Sequence, residues 1–140
     1  TNQAARSMNL ENILPLFELP SCEFVSLQYG DCAGEIGQFF EKHGRRIHHW
    51  FEANESLDQT AALIKTLDVI ITVDNTVAHL SGALGVPTWV MLPANAEWRY
   101  GVGGDRMPWY PAMRLFRRRP GEDWQSVISQ VRSALLGFTK

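Results

Sequence analysis

A carboxylate, a carboxamide, a hydroxyl and an imidazole stand close together at Asp74, Asn75, Thr76 and His79, where the β-branched run Val69-Ile70-Ile71-Thr72-Val73 gives way to a helical pattern. A strand that ends in Asp and turns into a helix leaves the first N–H groups of that helix without intrahelical partners, just past the carboxyl edge of a sheet. Open α/β sheets bind phosphorylated ligands at that edge, because unpaired N–H groups and the positive end of the helix dipole both favour an anion. In this reading Asp74 accepts from a sugar hydroxyl and the backbone of Asn75, Thr76 and Val77 faces a diphosphate. The Thr76 hydroxyl adds a donor, and His79 reaches a phosphate or ribose oxygen one turn along. Each residue also has a plainer role. Asp and Asn are favoured helix caps, a helix start can hold water alone, and a lone helical His is more often a packing residue.

A second group, Trp98-Arg99-Tyr100 and Trp109-Tyr110, lies in a connection running from 93 to 111. Connections that long in a compact domain usually form lids or binding loops. Their rings and guanidinium suit stacking on a base or sugar, or equally a small core of the loop itself. With its glycines and polar residues, this connection is expected to move more than the strand–helix–strand unit before it. Gly101-Val102-Gly103-Gly104 neither follows a strand nor opens a helix, so it fails the context test for a dinucleotide-binding loop. Arg117-Arg118-Arg119 reads as a solvated strand end, and Arg6 as a solvated residue ahead of the first helix. His48-His49 lacks Cys or carboxylate partners, and no structural metal is expected.

The elements that position these groups follow from spacing. Leu10, Ile13, Leu14 and Phe17 repeat at helical intervals until Pro20, predicting a helix over residues 8 to 18 with Ser7 as cap. Residues 24 to 28 read as a strand, the stretch around Ile36, Phe39 and Phe40 as a helix ending near Gly44, and 47 to 51 as a short strand. Ser56-Leu57-Asp58-Gln59 has capping-box form and opens an amphipathic helix. Residues 69 to 92 should make a right-handed parallel βαβ unit, with 113 to 116 an edge strand and 123 to 136 a closing helix. Strands alternating with helices predict an α/β, Rossmann-like doubly wound parallel sheet. Such a sheet normally opens on its central strand, and none precedes the first helix, so a fragment lacking that strand is expected.

With 140 residues, 45% of them hydrophobic, the chain has room for one domain spanning 1–140. A net charge of -2 gives no general basic field, which disfavours nucleic acid as a partner. Cys22 and Cys32 are too few for a disulfide framework and read as reduced thiols of a cytoplasmic protein. No apolar run is long enough to span a bilayer, and no charged-then-apolar leader opens the sequence.

The run from Val73 through Pro93, followed by Glu97-Trp98-Arg99-Tyr100, Pro108-Trp109-Tyr110-Pro111, Met113-Arg114-Leu115-Phe116-Arg117 and Asp123-Trp124, resembles the C-terminal half of bacterial tetratricopeptide-repeat glycosyltransferase-like proteins. These are similar to the family 9, heptosyltransferase-like, transferases of GT-B fold. The resemblance implies the donor-binding half of a two-domain enzyme, with a nucleotide-diphosphate-sugar as donor substrate, no cofactor and metal-independent transfer. It places Asp74, Asn75, Thr76, Val77 and His79 on the donor motif, Arg6 near the donor phosphates and Glu55 in the loop approaching the base. Trp98, Arg99, Trp109 and Tyr110 become candidates for a lid. Relatives usually carry Thr or Ser where this chain has Asn75, so hydroxyl contact to phosphate passes to Thr76 or is lost. Partners implied are an N-terminal acceptor domain and tetratricopeptide repeats of the same protein; a catalytic base commonly comes from the other half, so the catalytic residues are unknown and these 140 residues alone should not turn over. Two other readings stand beside transfer: a GT-B nucleotide-sugar epimerase, for which Asp74 alone supplies too few carboxylates, and a degenerate GT-B domain acting as a binding or scaffold module.

Overall fold

The computed structural model describes residues 9–28, 32–96, 98–101 and 103–138. Its elements run α1 (Leu14–Phe17), β1 (Phe24–Val25), α2 (Ala33–His43), β2 (Ile47–His48), a 3-10 turn (Phe51–Asn54), α3 (Leu57–Lys65), β3 (Ile70–Val73), α4 (Thr76–Ala83), β4 (Thr88–Leu92), a second 3-10 turn (Trp98–Tyr100), β5 (Met113–Arg117) and α5 (Trp124–Leu136). Strands β3, β4 and β5 form one parallel sheet in that order, and β1 and β2 form a second parallel pair. This is a Rossmann-like α/β arrangement. None of the described helices is long and apolar enough to cross a membrane.

The βαβ unit expected over 69 to 92 is present, with Ile70 opposite Thr88 and Val73 opposite Met91. Alternation along the strands sets the two helical layers. Ile71, Val73, Trp89, Met91 and Phe116 face α1 and α5 through Leu16, Val127, Ile128 and Val131. Ile70 and Val86 face the other way, onto Ile64 of α3 and Val77 and Leu80 of α4. A helix as short as α4 does not stand alone in water. Its cap contributes about 1 kcal/mol, whereas each buried Ile or Val beneath it contributes about 1.5–3 kcal/mol, so tertiary packing holds it in place.

Element boundaries depart from expectation where proline or short strands intervene. The first helix, expected from 8 to 18, is confined to Leu14–Phe17, with proline in its first turn. Pro15 has no N–H to bond back to Glu11, so the helix cannot run through from the N-terminal side. The preceding residues instead make turns closed by reciprocal Asn9 and Asn12 side-chain bonds to backbone N–H groups, at 3.0 and 3.1 Å. Residue 8 and the Ser7 cap lie outside the described residues. The strand expected over 47 to 51 ends at His48, and a 3-10 turn follows at Phe51–Asn54. The helices α2, α3 and α5 match their patterns: Gly44 ends α2 in the left-handed region at φ 65°, and Ser56 and Asp123 cap α3 and α5 through side-chain oxygens.

Candidate functional site

The segment that follows β3, at the carboxyl end of that strand, carries the chemistry. Asn75 has extended backbone, and its side-chain oxygen accepts from the Ala78 N–H at 3.2 Å, making it the N-cap of α4. The Thr72 hydroxyl also reaches that oxygen, at 3.1 Å. With Ala78 satisfied, the N–H groups of Thr76 and Val77 have no protein acceptor among the described residues. Thr76 is exposed and Val77 half-buried, so both groups open onto the surface at the positive end of α4.

Asp74 sits one residue before this cap and is buried, with its side chain only 2% exposed. Arg99 donates to both of its oxygens, at 3.0 and 3.2 Å, and the Tyr100 hydroxyl donates to one of them at 2.7 Å. His79, with 30% of its side chain exposed, places Nε2 3.7 Å from the same oxygen. Asp74 is thus the joint between β3 and the connection after β4, not a carboxylate open to a sugar. Although burial works against its charge, Arg99 has its pKa raised by the hydrogen bond to Asp74, and the pair is ionic.

Burial, helped by the neighbouring carboxylate, raises the Tyr100 pKa well above its ordinary value of 10.0. The folded chain therefore holds this proton at pH values where the unfolded chain releases it, so stability present below pH 10 is lost as the pH climbs past 10. Alkaline unfolding followed by circular dichroism should be steeper above pH 10 in the parent than in Tyr100→Phe. Equal slopes would remove Tyr100 from the account of alkaline stability.

The connection from 93 to 111 is anchored more firmly than its composition suggests. Arg117, read from sequence as part of a solvated charge run, donates to the backbone carbonyls of Tyr100, of Gly101 at 3.2 Å, of Gly103 at 3.4 Å and of Gly104 at 2.8 Å. Burial pulls its pKa down from the ordinary arginine value. Gly101 and Gly104 take positive φ values of 72° and 84°, which turn carbonyls toward the guanidinium. The glycine stretch is therefore a collar for Arg117. On the other side Tyr110 lies on α4: a Cβ added at Gly82 would stand 2.6 Å from the Tyr110 ring. The Tyr110 and His79 ring centroids are 6.0 Å apart.

Of the lid candidates, Arg99 and Tyr110 are turned inward as described, while Trp98 and Trp109 are 79% and 54% exposed and meet edge to face at 5.9 Å. Glu55 is exposed at the end of the first 3-10 turn, in the segment that follows β2. No contact joins it to the Asp74 group among the described residues, and Arg6 lies outside them. Arg117 and the pairing of Tyr100 with Asp74 are the functional features that sequence reading missed. A triple arginine directly after an apolar strand, with a glycine-rich stretch upstream, was the available signal for the first.

The chain is 33% identical over 128 residues, 89% of its length, to Protein FlbA of Caulobacter vibrioides, of which it spans about a fifth (21%). No protein-family model matches the chain. No solved structure matches it either.

Proposed function

We propose that this domain holds the donor of a metal-independent glycosyltransferase, a nucleotide-diphosphate-sugar, with the diphosphate at the N-terminus of α4. The observation that carries the reading is the pair of outward-facing N–H groups of Thr76 and Val77 beyond the carboxyl end of β3. Backbone donors fixed in this way stabilise the charge that develops on a departing diphosphate without reorganising. The Thr76 hydroxyl adds a donor, and His79 stands close enough to the cap to bond a phosphate or ribose oxygen. Asp74 acts here as a positioning residue: it seats Arg99 and Tyr100 next to the exposed Trp98, whose ring and that of Trp109 offer a base a surface to stack on. Transfer itself calls on an acceptor domain elsewhere in a longer, tetratricopeptide-repeat-bearing cytoplasmic protein.

Titration of the complete polypeptide with UDP- and ADP-sugars tests this. Saturable binding is expected, and His79→Ala should raise the donor Kd about tenfold, the loss of one hydrogen bond to a charged group. Unchanged affinity in a folded His79→Ala variant removes that residue from the site. A second reading, a scaffold module that keeps the fold without the donor, draws on the burial of Asp74 and the use of the Asn75 side chain as a cap. Absence of binding across the donor series would favour it.

A further inference from the structure

The two sheets share helix α1, whose Leu16 packs in the cluster against β3–β5 and whose Phe17 packs with Ile47 of β2, yet no hydrogen-bonded ladder joins β1 to β3. On one face Phe24 of β1 and Ile71 and Val73 of β3 pack against the same buried cluster. On the other, Leu27, just past β1, packs against the cluster of Ile64, Ile70 and Val86. Among the described residues, both facing edges carry backbone N–H groups that meet no acceptor. The Ile70 N–H bonds to the Pro87 carbonyl at 2.8 Å, toward β4, so alternation turns the N–H groups of Ile71 and Val73 away from β4. Likewise the Ser26 N–H bonds to His48 at 2.8 Å, toward β2, which turns Val25 and Leu27 the other way.

Burial says the same. Parallel strands are normally covered on both faces. Every residue of β4 is buried, whereas Ile71, Thr72 and Val73 of β3, and Phe24 and Val25 of β1, are only half-buried. The outer edge of β5, by contrast, is covered by this chain, the Leu115 N–H bonding to the Asp105 carbonyl at 2.8 Å.

We propose that β1–β2 and β3–β4–β5 are two parts of one sheet, and that the gap between β1 and β3 takes a parallel strand of the same polypeptide lying ahead of α1. The positions of the helices indicate which segment supplies it. Helix α2 links parallel strands β1 and β2, and α1 shares its face, both packing on the Phe17, Phe39 and Ile47 cluster. A strand in the gap leading through α1 into β1 steps in the same direction as β1 through α2 into β2. The right-handed crossover rule then requires α1 and α2 on one face, as found. The opposite step, from β3 to β4, requires its helix on the other face, and α4 lies there. Buried on both sides, the inserted strand is a short, continuous apolar run rich in Val and Ile. FlbA, of which this chain spans only a fifth, has polypeptide beyond the matched stretch from which such a strand can come.

Residue-resolved hydrogen exchange tests the gap. In the complete polypeptide the amides of Val25, Leu27, Ile71 and Val73 should exchange about a hundredfold more slowly than in the 140-residue chain, with Ile70 and Thr72, already directed at β4, changing far less. Equal rates in the two proteins at the four gap-facing amides overturn the proposal. A second measurement uses Val25→Pro, which removes an N–H that meets no acceptor among the described residues of the shorter chain. Its urea midpoint should fall substantially in the complete polypeptide and little in the 140-residue chain; an equal fall in both contradicts an inserted strand. Neither outcome depends on whether the domain binds a nucleotide sugar.

Discussion

Asp74→Ala is expected to lower the unfolding free energy of the 140-residue chain by about 2–4 kcal/mol, measured by urea denaturation. The carboxylate accepts from Arg99 at both oxygens and from Tyr100 at one, and it is buried. Removing one partner of a buried ion pair costs about 3–5 kcal/mol, because the other charge is left without compensation. Arg99 keeps 26% of its side chain exposed, so water recovers part of that loss and the lower range applies. Asp74→Asn should cost less, since its carboxamide oxygen still accepts from Tyr100 while the charge is gone. A loss within about 0.5 kcal/mol for the alanine variant, the level of an ordinary surface substitution, would show that the joint between β3 and the connection does not matter to stability.

That joint lies beyond the reach of local sequence signals. The βαβ unit was legible because its signals are local: a β-branched run, an Asn cap, a small-residue helix face, then Gly85 and Pro87 before a second apolar run. Each of those features acts over a few residues, and the structure keeps them all. The partners of Asp74 lie 25 and 26 residues away, beyond any periodicity. The sequence predicts Asp74 facing a ligand; in the fold its oxygens accept from Arg99 and from Tyr100, the largest fully buried side chain among the described residues. Arg117 departs from expectation for a related reason. A run of three arginines predicts solvent, but in β5 it is the first of them that turns onto four carbonyls of the glycine stretch. A further middle strand is an expectation of topology in the sequence, and the half-buried facing edges of β1 and β3 are where the proposal above puts it.

The second large effect is expected at the helix start. Proline is favoured in the first turn of a helix, where its absent N–H would have no intrahelical acceptor. The residue before it must be extended, and Asn75 already is, at φ -154° and ψ -175°. Thr76→Pro therefore removes one outward-facing N–H, together with the Thr76 hydroxyl, while leaving α4 and its Asn75 cap in place. Its thermal midpoint should stay close to that of the parent. If the diphosphate sits on this helix start, two donors to a charged ligand are lost, at about 1.5–3 kcal/mol each. Companion variant Thr76→Val separates the hydroxyl from the backbone group.

Calorimetric titration of the complete polypeptide and its Thr76→Pro variant with the nucleotide-diphosphate-sugar that binds the parent is the most direct measurement of the central claim. The expected result is a folded variant whose Kd rises about a hundredfold or more, with Thr76→Val intermediate. A folded variant that binds the donor as tightly as the parent would contradict it, and the start of α4 would then be a capped helix end and nothing more.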